Sequence, residues 1–154
     1  MKTQLLLLIL SFGVPIAASA EKPLPKETHP MTQERMEAFV RTLAPVAEGV
    51  RGSLAFKFAG VEIECISDVT HDRMRLIAAI APVSHLTAEQ VTRILEANFH
   101  TALDARYATS HGYLYAAFIH PLSPLTEGEI RSAVAQVSNL ARSFATTYSS
   151  GELV

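Results

Sequence analysis

From residue 32 onward, apolar side chains recur at two spacings, one helical and one of period 2, and the switches between them mark out the elements. Met36, Phe39, Val40 and Leu43 follow Thr32 at helical spacing. Thr32 is suited to cap a helix, so a first helix is expected from about 32 into the region of Ala47, with Pro45 kinking or ending it. "SLAFKFAGVEIECIS" then alternates. Leu54, Phe56 and Phe58 share one face and Val61, Ile63 and Cys65 the matching face, which predicts a β-hairpin turning at Ala59 and Gly60. A second turn around Ser67, Asp68, His71 and Asp72 leads into "RMRLIAAIA", whose Met74, Leu76, Ala78 and Ile80 face the same core. The opposite face carries Lys57, Glu62, Glu64, Arg73 and Arg75, which are expected to pair across strands. Ile66, Ile77 and Ala79 form an exposed apolar strip toward one end of that face.

Pro82 closes the third strand, and Thr87 with Gln90 reads as a capping box. The helix it opens runs through Val91, Ile94, Leu95 and Phe99 and ends near Leu103. A short strand over 106–109, a turn at Ser110, His111 and Gly112, and a long strand over 113–120 come next. Leu114, Ala116 and Phe118 take one face of that strand, and Tyr113, Tyr115, Ala117 and Ile119 the other. A strand apolar on both faces is expected to be covered on both, by its own domain or by a second copy of the chain. Thr126 with Glu129 forms a second capping box, opening a long last helix with Ile130, Val134, Val137, Leu140, Ala141, Phe144 and Tyr148 as its buried stripe. The expected fold class is α+β: helix, three-stranded antiparallel meander, helix, two strands, helix. It forms a single domain over 32–149, followed by a frayed tail at 150–154.

The segment ahead of the first helix changes the setting. Lys2, the apolar run "LLLLILSFGVPIA" and the small residues Ala18 and Ala20 form a secretory leader over residues 1–20, with cleavage expected after Ala20. The run is short for a membrane anchor, and Glu21 stands where a lipoprotein needs cysteine. "EKPLPKETHPM" (21–31) reads as an extended linker. The mature protein is therefore expected in the periplasm or outside the cell.

Removing the leader leaves 12 basic against 15 acidic side chains with no single-sign block, which disfavours nucleic acid as a partner. Cys65 is the only cysteine, so no internal disulfide can form, and its alternation with Val61 and Ile63 makes it a core residue. The six histidines, His29, His71, His85, His100, His111 and His120, show no metal-ligand spacing. Ser110 and His111 are adjacent, but sequence neighbours do not supply an oriented nucleophile and base. Glu62 and Glu64 share a strand face, yet the arginines expected beside them would keep both ionised. Neither catalytic residues nor a cofactor or metal is expected, and the chain does not read as an enzyme.

The order of elements, together with "ILEANFHTALDARYATSHGYLYAAFIHPLSPLTEGEIRSAVAQVSNLARSF", resembles the type III secretion chaperone-like fold of the Tir-chaperone-type specialised chaperones and the related YbjN-like domains. The shared features are the helix ending in Leu95, Glu96, Ala97 and Asn98, the "GYLY" strand, the "PL" turn and the capped last helix. The resemblance implies a small protein that dimerises through its middle helix and neighbouring strands and holds a partner polypeptide as an extended segment. Mapped onto this chain, the dimer or partner surface comprises Ile66, Ile77, Tyr113, Tyr115 and Ile119, with the 87–103 helix. Specialised secretion chaperones are cytoplasmic and strongly acidic, and this chain departs on both counts. The expectation is thus an exported, homodimeric module that binds a polypeptide of unknown identity; the alternative is a periplasmic small-ligand-binding or sensory domain.

Overall fold

The computed structural model describes residues 29–151. The leader, residues 21–28 of the linker and residues 152–154 lie outside the described residues.

Helix α1 (Gln33–Leu43) starts at Thr32, whose hydroxyl accepts the Arg35 N–H at 3.2 Å. It stops with Ala44 as its C-cap, short of Ala47, because a residue preceding proline is driven out of the helical region. A strand absent from the sequence expectation follows: β1 (Glu48–Val50) turns back onto β2 (Ser53–Phe58). Gly49 makes the approach possible. Its φ is +131°, and a Cβ there would sit 2.2 Å from the Ser53 carbonyl oxygen. Strands β3 (Val61–Asp68) and β4 (Arg73–Pro82) complete the meander. A 3-10 turn (Val83–His85) leads to α2 (Ala88–His100), whose capping box of Thr87 and Gln90 forms as expected. Strands β5 (Arg106–Ser110) and β6 (Tyr113–Pro121) form a hairpin whose turn residues, His111 and Gly112, both have positive φ, the requirement of a two-residue turn matched to strand twist.

The hairpin docks through β6 onto β4, giving one antiparallel six-stranded sheet in the order β1-β2-β3-β4-β6-β5. Inward-pointing residues of five strands, among them Leu54, Ile63, Met74, Leu76, Leu114 and Phe118, meet all three helices in a single core. Helix α3 (Glu127–Arg142) lies centrally across this face, fully burying Ile130, Val134, Val137 and Leu140. The α+β expectation therefore holds, with β1 added to it.

The last helix ends at Arg142, six residues before Tyr148. The Ser143 hydroxyl accepts the Ser149 N–H at 2.9 Å and donates to the Ser149 carbonyl at 2.8 Å, which folds the chain back on itself with Ala145 and Tyr148 at positive φ. Phe144 and Tyr148 still pack inward, but as ring-edge partners of Tyr107 and of each other. Ser150, expected to fray, is 2% exposed; its N–H donates to the Thr101 carbonyl at 3.1 Å and its hydroxyl to that of Ala102. Gly151 is held too, by Asn139. At the other end Met31, assigned to the linker, is buried, and its N–H donates to the Ser123 carbonyl at 2.9 Å.

Candidate partner-binding surface

Because the helices all pack on one side, the other side of the sheet is left open, and its composition follows from strand register. Ile66 stands opposite Arg75, which stands opposite Ile119. Ile77 stands opposite Ala117, Ala79 opposite Tyr115, and Pro82 opposite Tyr113 after a bulge between Ala79 and Ala81. Ile66, Ile77, Tyr113, Tyr115 and Ile119 thus share one sheet face. Tyr113 and Ile119 are 47% and 58% exposed, and the other three are half-buried by their neighbours. Within the chain β6 is fully covered on its Leu114, Ala116 and Phe118 side only: on the other, Ala117 is buried and Tyr115 half-buried by neighbouring side chains, and Tyr113 and Ile119 stay exposed.

Of the cross-strand charge pairs that alternation suggested, Lys57 with Glu62 forms and those between the glutamates and Arg73 or Arg75 do not. Glu64 stands opposite Ile77 rather than an arginine, and its carboxylate accepts the Ser53 hydroxyl at 3.0 Å. Glu62 lies 3.4 Å from Lys57 on β2. The hairpin turns set the register, and that register carries each glutamate past Arg73 and Arg75.

A second apolar surface lies on α2. Ile94 and Ala97 enter the core, while Val91, Leu95 and Phe99 point outward with exposures of 41%, 65% and 84%, and Leu103 beyond the helix end continues the line at 56%. Val91, Leu95 and Phe99 are spaced four apart on the helix, so they form one ridge. The helix sits beside the edge strand β5, pinned by Asn98 to the Tyr107 backbone at 2.7 and 3.0 Å, and only its Ile94 and Ala97 side reaches the core.

The residues that chemistry would need stay scattered. His71 pairs with Asp68 at 2.6 Å, His120 faces the Pro121 carbonyl at 2.8 Å, and His111 meets the Ser110 hydroxyl at 2.9 Å on an exposed turn. Among the described residues, no group of three His, Cys, Asp or Glu side chains is placed to hold a metal ion. The Cys65 thiol is buried against Met36, and burial pushes its pKa up to about 12. The Tyr107 phenol, which donates to the Leu140 carbonyl at 2.9 Å, is likewise raised by burial. Two clefts are open. One of about 650 Å³ lies between α2 and residues 145–148 and is lined mainly by polar and charged groups such as Glu89, Arg93, Glu96 and His100. The other, of about 320 Å³, lies beside the end of β6, where Ile119 and His120 face Arg106, Asp104 and Glu129.

No protein-family model matches the chain, and no curated protein matches its sequence. Solved structures do match. A chain of the HopA1–SchA chaperone–effector complex superposes with a TM-score of 0.55 at 15% identity, over 71% of this chain and 88% of that one. A chain of the ExsC–ExsE complex gives 0.52 at 15% identity, over 69% and 84%. At that identity the likeness is one of architecture, and the fold of this chain is the type III secretion chaperone-like fold.

Proposed function

We propose that this chain is an exported, non-enzymatic module that binds a partner polypeptide and works as a homodimer. The observation that carries the reading is the sheet face left open by all three helices, with Ile66, Ile77, Tyr115 and Ile119 in adjacent register positions. An apolar face of this extent calls for a cover. The solved neighbours support a polypeptide as that cover, one of them being described as a chaperone in complex with an effector. The α2 ridge supplies a separate surface for self-association, in which Leu95 and Phe99 of one copy meet the same residues of another. The leader over residues 1–20 directs the module across the membrane, and cleavage after Ala20 releases it. The small-ligand alternative would use the larger cleft, whose polar, charged lining is unlike the mostly apolar walls of ordinary ligand pockets.

The reading is tested by crosslinking the tagged protein in the periplasmic fraction and identifying what co-purifies. One stoichiometric polypeptide is expected, lost on Ile77→Glu and retained on Arg142→Gln, a control on the helix side of the sheet. Recovery of the protein alone, or a partner indifferent to Ile77, refutes it. Mass spectrometry of the mature chain checks the leader, and an N-terminus at Glu21 is expected.

A further inference from the structure

The arginines of the open sheet face carry more information than its apolar residues. Arg75 stands opposite Ile119, and Arg106 stands opposite Ala117, two residues away along β6. Ile119 therefore lies between two guanidinium-bearing side chains, and Arg73, opposite Pro121, continues the row. Among the described residues none of the three forms an ion pair. Arg73 and Arg106 donate only to the backbone carbonyls of Asp72 and Ala105, at 3.2 and 2.7 Å. No side-chain partner of Arg75 is present among the described residues.

The acids around them already hold other donors. Asp68 accepts from His71 and from the Thr70 and His71 N–H groups. Asp72 takes the Ser123 N–H and hydroxyl, both at 2.7 Å. Glu64 takes Ser53, Asp104 takes Gln136, and Glu129 takes the Thr126 N–H and hydroxyl. Arg75 and Arg106 thus stand beside Ile119 with no carboxylate within ion-pair distance among the described residues, while Arg73 interacts with the neighbouring Asp72.

We infer that this face binds a polypeptide segment in which one apolar side chain is flanked by two carboxylates on the same side. The spacing fits an extended segment. Arg75 and Arg106 are separated by two interstrand steps and two residues of strand, about 12 Å. In an extended chain, alternate residues share a side and residues i and i+4 lie about 13 Å apart. A Glu-x-Leu-x-Glu segment then sets its leucine on Ile119 and one carboxylate on each guanidinium, a pairing that planar arginine forks favour. A flat anionic lipid surface fits less well, because it would also meet Glu62 and Glu64 on the same face. The inference rests on the polypeptide-binding reading and specifies the chemistry of the partner.

Three fluorescent peptides test it: one built around Glu-Ser-Leu-Ser-Glu, and two with serine or lysine in place of both glutamates. Binding is followed by anisotropy, with phosphatidylserine vesicles as a fourth probe. The glutamate peptide should bind roughly fivefold tighter than the serine peptide, as expected for two exposed ion pairs, and the lysine peptide most weakly. Raising the salt should shrink the preference. The double variant Arg75→Gln, Arg106→Gln should abolish it, and Ile119→Ser should weaken all three. A preference that survives the double variant overturns the inference, as does equal binding of the lysine peptide, or arginine-dependent vesicle binding without a peptide preference. If the serine peptide binds and glutamate adds nothing, the inference fails and the polypeptide-binding reading stands. If no peptide binds, the docking face itself is rejected.

Discussion

Replacing Phe99 with serine should separate self-association from folding. The ring is 84% exposed on α2, so nearly all of its apolar surface is available to an interface and almost none to the core. Fully burying such a side chain is worth about 1.5–3 kcal/mol. In a symmetric dimer the ring is buried twice, so Phe99→Ser should weaken association by about 4 kcal/mol, roughly a thousandfold in Kd. Folding should hardly change, since phenylalanine and serine have similar helix propensity and exposed substitutions usually fall within about 0.5 kcal/mol. The contrast is Ile94→Ser, five positions earlier on the same helix but 7% exposed, which removes core packing and should cost about 3 kcal/mol of stability. Sedimentation equilibrium over a wide concentration range reads the first effect and thermal unfolding by circular dichroism the second. A wild type that is monomeric at high concentration, or a Phe99→Ser variant with unchanged Kd, refutes the assignment of the ridge.

Three further outcomes are expected. Cys65, with its thiol raised to about 12 by burial, should resist iodoacetamide at pH 8 in the native protein and label fully in denaturant, as read by mass spectrometry. Tyr107→Phe removes the bond to the Leu140 carbonyl and leaves that buried oxygen short of a donor, costing about 1 kcal/mol in urea titration; an unchanged midpoint would contradict the buried bond. The Ser123 hydroxyl and N–H hold the Asp72 carboxyl below its usual range, so Asp72 contributes stability above the ordinary carboxylate pKa and loses it as pH falls through the lowered value. Asp72→Asn should thus lower the urea midpoint at pH 7, with the two proteins converging as pH falls through the lowered value. Parallel curves would remove the linkage.

The long strands are legible in the sequence because period 2 is unambiguous when aromatic and β-branched residues keep it up for six or more positions, as from Leu54 to Cys65. Strand β1 is not, because three residues beside a proline and two glycines carry no period. The last helix reads too long for a related reason: Phe144 and Tyr148 are spaced as helical core residues, and only the Ser143 side-chain bonds make that stretch a loop. On α2, Ile94 with Ala97 and Val91 with Leu95 and Phe99 are two apolar sides of one helix, and spacing alone does not say which one the sheet receives. The five surface residues fall on one sheet face as alternation implies, while the freedom of Arg75 and Arg106 depends on register, which the turns decide.

The seat of α2 has a consequence for the order in which the chain can mature. The Thr101 hydroxyl donates to the Tyr148 carbonyl, and Ser150 reaches back to Thr101 and Ala102, contacts that span 47 to 49 residues. Everything that fastens the C-terminal end of α2 on that side therefore arrives only after α3 has been made and has docked. A nascent chain can close the β2–β3–β4 meander and pin α2 through Asn98 to Tyr107 from local contacts, but the helix's C-terminal end stays unfastened on that side until residues 148–151 have emerged. In the homodimer proposed above, the full seat of α2, and with it the ridge, would be complete only once these last residues have folded.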